Sequence, residues 1–305
     1  MRVVAALVCA MALAAGPQGA HADTADPANW PTPRFITYNV KGAAQPIYAG
    51  NRQAWADKIV GAMDYWNTDL IMFQEMCYGQ YQTLRQAVGD AYDSVWGASL
   101  ASASGCSQWG SDKRFGLAIF AKGGPGTIDN GTRVVHTLPR PAGGEARIEL
   151  CARTVIRSHS AWACNTHLDF HAGNKEAQAA AVAAHTDAYV DEGYPVVLAG
   201  DFNMFPTEAP LKHLYDHHGG TGLFQEVDEN DKAHFTGTEC PQSGDRCRSG
   251  EATEDPVCSP DTDQTGKIDY IFVSALAFGT VRGDAAACTP GLSDHHLLRG
   301  AAGWA

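Results

Sequence analysis

The sequence has no apolar run long enough to cross a bilayer. Its longest, Val3 to Ala15, falls short of the roughly 18 to 20 residues that a spanning helix needs, which leaves no membrane-spanning helix to build a function on. It is also poor in cations, with 22 Lys and Arg against 34 Asp and Glu in 305 residues, a formal charge of −12. An acidic chain does not gather a polyanion by long-range attraction, so a phosphate-bearing substrate would need local basic groups or a bound cation. Internal repeats and long low-complexity segments are missing too, which excludes repeat arrays.

The first residues have the layout of a secretory signal, residues 1–22. Arg2 is followed by the short apolar run and then by Ala20-His21-Ala22, a small-residue cleavage site. The expected mature chain starts near Asp23, is secreted and soluble, and carries 21 basic against 34 acidic side chains. Residues 23–33 read as a proline-rich lead-in, and residues 34–305 as one domain. Nine cysteines become eight once Cys9 is removed, an even number in an export context, so disulfides are expected. The segment "RIELCARTVIRSHSAWACNTHLD" reads as a hairpin turning near Arg157-Ser158, a register that sets Cys151 opposite Cys164. The other pairs expected, without a geometric argument, are Cys77 with Cys106, Cys240 with Cys247 and Cys258 with Cys288.

Short runs rich in β-branched and aromatic residues read as strands: "RFITYNV", "DLIMFQE", "SVWGASL", "FGLAIFAK", "TRVVHTL", "RIELCARTVI", "AWACNTHLD", "PVVLAGDFN", "KIDYIFVS" and "HHLLRGA". Two stretches, "NRQAWADKIVGAMDYWN" and "NKEAQAAAVAAHTDAYVDE", read as amphipathic helices, and "TEAPLKHLYDH" as a third candidate. The polar insert from Thr238 to Gly266 carries three cysteines and reads as a stapled loop.

Polar groups recur at the strand ends. "FITYN" finishes in Asn39, "LIMFQE" in Glu75, "WACNTHLD" in His167 and Asp169, and "LAGDFN" in Asp201 and Asn203. In a strand, residues two apart share a face, so Asp201 and Asn203 should point one way and Phe202 the other. Two later runs reverse the order: Asp269 opens "KIDYIFVS", and Asp294 and His295 precede the apolar part of "SDHHLL". If the first strands run towards one edge and the last two away from it, all these groups collect on one rim. Taken singly, each has a bland reading as a turn former, an exposed charge or a satisfied core histidine. Their order along the chain is what argues for a site.

"TYNVKG", "IMFQE", "NTHLD", "GDFN", "KIDYIFVS" and "SDHH" occur in the order and spacing of the endonuclease/exonuclease/phosphatase superfamily, and the mature chain resembles a secreted, bacterial-type member over nearly its whole length. The resemblance implies the fold of deoxyribonuclease I: an α+β, four-layer α/β/β/α sandwich of two packed, mainly antiparallel sheets flanked by helices. It also implies a Mg²⁺-dependent hydrolase of phosphate esters. Mn²⁺ as a substitute and a structural Ca²⁺ are both compatible with the resemblance. Glu75 and Asp294, with Asn39, resemble the hard oxygen ligands that suit Mg²⁺. Asp201 and Asn203 resemble the pair that positions the attacking water and a phosphate oxygen. His295 resembles the general acid/base, Asp269 the carboxylate that orients it, and His167 a second histidine at the phosphate. The phosphate-gripping arginine is left open among Arg114, Arg147 and Arg153, and Asp169 and His171 are a candidate further metal contact.

Export, two histidines and the lack of a membrane-docking hairpin favour a nuclease for extracellular nucleic acid, acting as a monomer. The runner-up is a sphingomyelinase-type phospholipase C acting on a phospholipid headgroup, with the loop around Trp109 its one candidate for bilayer contact. A reading from another class is a toxin-like or inactive subunit that depends on partners.

Overall fold

A computed structural model describes residues 27–44, 46–229, 248–258, 260 and 264–305. The proposed signal segment and the Cys240–Cys247 pair therefore lie outside the described residues.

Twelve strands are described, arranged in two six-stranded sheets. In the first, the order is β11 (Phe278–Ala285), β12 (Leu298–Trp304), β1 (Arg34–Asn39), β2 (Leu70–Cys77), β4 (Phe115–Lys122) and β3 (Tyr92–Leu100). In the second it is β5 (Ile128–Thr137), β6 (Ile148–Ile156), β7 (His159–His167), β8 (Val196–Asp201), β10 (Asp269–Ser274) and β9 (Phe224–Glu226). Every neighbouring pair is antiparallel except β1 with β2 and β7 with β8, so each sheet has one parallel pair near its middle.

Period-two alternation builds the layers. Phe35, Leu70, Met72, Leu117 and Ile119 of the first sheet meet Leu150, Ala152, Ala163, Val197, Ala199 and Ile271 of the second in a central core. The outward residues Ile36, Tyr38, Ile71 and Phe73 pack under α1 (Arg52–Trp66) and α2 (Tyr78–Val88). Leu198, Tyr270 and Phe272 pack under α3 (Ala172–Asp191) and a 3₁₀ turn at Ala209–His213. This is the four-layer α+β sandwich expected.

In α1, Trp55, Ile59, Met63 and Trp66 form the buried face, Asn51 caps the first turn by accepting from Gln53 and Ala54 N–H, and Asn67 ends it in a left-handed conformation. Three elements lie outside the sequence expectations. Helix α2 carries a short apolar face, Tyr81, Leu84 and Val88 at helical spacing, between polar residues. Tyr81 Oη lies 3.0 Å from Ser94 Oγ, and a disulfide ties Cys77 to Cys106 at the helix start. Strand β9 has three residues, and edge strand β11, "FGTVRGDA", carries two glycines. The candidate third helix condenses to the 3₁₀ turn.

The hairpin between β6 and β7 turns at Arg157 and Ser158, both at positive φ, and pairs Cys151 with Cys164 in register and by disulfide. Cys258 is bonded to Cys288. The second half of the insert is more than a stapled loop. Residues 248–258 run under the site, with Ser249, Glu251 and Thr253 buried, and Glu254 bridges both Gly266 and His295. Among the described residues no helix is long and apolar enough to cross a membrane.

Candidate active site

The parallel pairs decide where polar groups meet. Strands β1, β2, β7 and β8 all end at one rim, β10 starts there, and Asp294 and His295 lie just before β12, which runs antiparallel to β1. In register, His167 on β7 faces Asp201 on β8, which faces Asp269 on β10. Three neighbouring strands thus lay three chemical groups in one row, on the inward face where the apolar core ends. Gly200 lets β7 and β8 approach here, since a Cβ at this position would sit 2.0 Å from Thr166 O.

One layer below, amides replace the apolar core and tie the sheets together. Gln74 Nε2 donates to Asn165 Oδ1 (2.7 Å) and Thr37 Oγ1 (3.0 Å), and Asn165 Nδ2 donates to Phe73 O and Ala118 O. Such a buried, connected network fixes the relative position of the two sheets directly under the rim.

Glu75 reaches the rim through an irregularity. The β2–β4 register shifts between Phe73 and Met76, and Glu75 has φ 55°, the kind of bulge that re-aims a side chain. Asn39 Nδ2 donates to Glu75 Oε1 (3.2 Å) and to Asp201 Oδ2 (3.0 Å), joining the two sheets' carboxylates. Burial, with the Asp294 charge adding to it, lifts the Glu75 carboxyl above its usual range against the Asn39 hydrogen bond. Asp294 takes its positive charge from Lys41, 2.6 Å away. Ser293 Oγ donates to Asn39 O and accepts from His295 N–H, which pins this turn to the end of β1.

His295 Nδ1–H donates to Asp269 Oδ2 at 2.8 Å, leaving Nε2 towards Asp201 Oδ2 at 3.8 Å. Burial lowers the imidazole pKa, but the carboxylates of Asp269, Asp201 and Asp294 outweigh it and hold His295 in the charged form. The neighbouring His296 points elsewhere, its ring bonded to Ala286 O and Asp255. Asp201 is pushed up to about 7 by burial and by Asp269. Thr253 Oγ1 accepts from the N–H groups of Ile268 and Asp269, so the insert holds the start of β10.

Of the three candidate arginines, Arg147 is the one at the site. Its Nη1 donates to His167 Nδ1 at 2.8 Å, which leaves the imidazole proton on Nε2, 3.4 Å from Asp201 Oδ2. Burial and the Arg147 charge keep His167 neutral. Arg114 is instead clamped by Asp112 and lies over Tyr78, and Arg153 pairs with Asp129. The sequence signal for Arg147 was its position just ahead of β6, the strand that pairs with β7.

Three expectations need correction. The strand ends at Asp201, so alternation does not carry Asn203 to the rim. Asn203 sits at φ 51° in a turn closed by its N–H on Asp201 Oδ1, and its Nδ2 lies 3.2 Å from His167 Nε2. Asp169 and His171 are already paired with each other, the oxygens of Asp169 accepting from His171 and Asn174 at the start of α3. Trp109 is buried against Trp55 with Nε1 bonded to Gly42 O, so it offers no surface to a bilayer or a base. The exposed rings beside the site are Phe170 and Phe205, in the turns that follow β7 and β8.

The donor set fits a hard divalent cation. Glu75 and Asp294 supply carboxylates, the Asn39 amide adjoins them, and burial lifts the Glu75 carboxyl despite the charges of His295 and Arg147, a conflict that a cation would relieve.

A sequence profile described as the Endonuclease/Exonuclease/phosphatase family matches residues 36–295, and the chain belongs to that family. Its members are hydrolases of phosphate esters and generally depend on a divalent metal. No curated protein matched by sequence. Solved structures with the same fold include an endonuclease/exonuclease/phosphatase from Bacteroides vulgatus (18% identity, TM-score 0.65, covering 89% of this chain and 98% of that one). A mannosyl-6-phosphatase from Bacteroides thetaiotaomicron (16%, 0.64, 89% and 99%) and the human Nocturnin catalytic domain with bound sulfate (17%, 0.64, 90% and 94%) are similar.

Proposed function

We propose that the protein is a secreted, Mg²⁺-dependent phosphodiesterase that cleaves extracellular nucleic acid by attack of water on phosphorus. The observation that carries this reading is the row His167–Asp201–Asp269 closed by His295, with the Asn39–Glu75 pair and Arg147 at its edges.

Phosphodiester hydrolysis needs a nucleophilic water, neutralised phosphoryl oxygens and a stabilised leaving oxygen. Asp201 accepts the proton of the attacking water, the carboxyl near neutrality making it a competent base. Asn203 and the neutral His167 hold water and a phosphoryl oxygen, and Arg147 adds charge from below. The His295 imidazolium, oriented by Asp269, stabilises the developing negative charge and delivers a proton from Nε2. Glu75, Asp294 and Asn39 would hold a divalent cation, which would supply positive charge to the phosphate. Phe170 and Phe205 offer exposed faces on which bases can stack, which supports a nucleic-acid substrate.

The test incubates purified protein and His295→Ala with supercoiled DNA, RNA and sphingomyelin vesicles, each with Mg²⁺ or EDTA. Nicking that needs metal and disappears in the variant supports the reading. Cleavage of sphingomyelin alone would move the same site to lipid, and digestion that persists in EDTA would overturn the metal dependence.

A further inference from the structure

A second group of ligating side chains lies on the outer face of the second sheet, away from the rim. His136 on β5 and Glu149 on β6 are direct cross-strand partners, and His185 comes down on them from α3. His185 Nδ1 lies 2.7 Å from Glu149 Oε2, and the rings of His136 and His185 stack at 3.8 Å. One donor atom from each of the three residues falls within 4.8 Å of the others. The remaining oxygen of the same carboxylate, Glu149 Oε1, is buried and has no hydrogen-bond partner. Buried acceptors are nearly always satisfied, because an orphan costs its desolvation outright.

We infer that His136, Glu149 and His185 form a binding site for a zinc-type divalent cation that clips α3 to the β5–β6 pair. Two imidazoles and one carboxylate are the donors such a borderline cation takes, and they leave a fourth position for water. Donors around a tetrahedral zinc at about 2.0–2.1 Å sit roughly 3.3 Å apart, so small side-chain rotations bring these three to binding distance. The cation would also resolve an electrostatic conflict. Burial pushes Glu149 up to about 7, His185 is raised by Glu149, and His136 is held down by burial and by His185. The Cys151–Cys164 disulfide lies beside Glu149 and fills the floor without offering thiolates. Tyr189 Oη, 3.3 Å from His136 Nε2, closes one side.

The test needs no catalytic readout. In a Glu75→Gln, Asp294→Asn background, with disulfides intact and excess Mg²⁺ present, zinc is titrated into EDTA-treated protein and bound metal is counted. The expected result is one zinc per chain, a melting temperature about 5 °C higher at a hundredfold excess over the dissociation constant, and a tetrahedral absorption band with Co²⁺. His136→Ala and His185→Ala, both at partly exposed positions, should each weaken zinc at least tenfold. Failure of the background protein to retain zinc would overturn the inference, as would zinc held equally well by a His136→Ala, His185→Ala variant.

Discussion

The first sheet brings Asn39, Glu75 and, through the turn before β12, Asp294 to the rim, whereas the second brings His167, Asp201 and Asp269. Both sheets have the same wiring, six strands with one parallel pair near the middle, and both use it to set adjacent strand ends side by side. What they deliver differs. One half is a set of oxygen donors suited to a cation, the other a set of titratable groups in strand register. His295 belongs to the first sheet by chain position and to the second by its bond to Asp269, and Asn39 bridges back from Glu75 to Asp201. Division of labour between sheets thus requires that their relative position be fixed, which the Gln74–Asn165 amide layer does just below.

The comparison breaks most sharply at His295. His295→Ala should lower kcat about 10³-fold, and added Mg²⁺ should restore nothing, because the lesion is in proton transfer. Glu75→Gln should cost about 10²-fold, but part of that loss should return as Mg²⁺ is raised, measured as a rightward shift of the metal activation curve. If both variants respond alike to metal, the two halves are not separate. Asn165→Leu leaves every rim group in place and removes the tie between sheets, so about a tenfold fall in kcat with little change in metal response is expected. Removing the Cys151–Cys164 bond as a double Ala variant should cost about 3 kcal/mol of stability, as for closing a loop of this size, while activity per folded molecule holds. His296→Ala should change kcat less than twofold, since its ring faces Asp255 and Ala286 rather than the rim.

Much of this was legible in the residues. Alternation in "FITYN", "LAGD" and "KIDYIFVS" forecast both the strands and the face on which Asn39, Asp201 and Asp269 appear. The hairpin register that pairs Cys151 with Cys164 was readable because its turn and its period both lay within one local segment. Helix α2 left only a short signal, Tyr81, Leu84 and Val88 at helical spacing, and a disulfide and contacts to β3 add to what holds it. Asn203 was placed at the rim for the wrong local reason, a turn having taken the place of the strand.

The sequence by itself determined that the chain builds many short strands with polar ends, because side-chain period and turn residues are local properties. Only the tertiary structure decided which arginine meets His167 and that His136, Glu149 and His185 come together. Those outcomes depend on cross-strand register and on helices packing over sheets. These bring together residues far apart in the chain, such as Arg147 with His167 and His136 with His185, and no local pattern encodes such contacts.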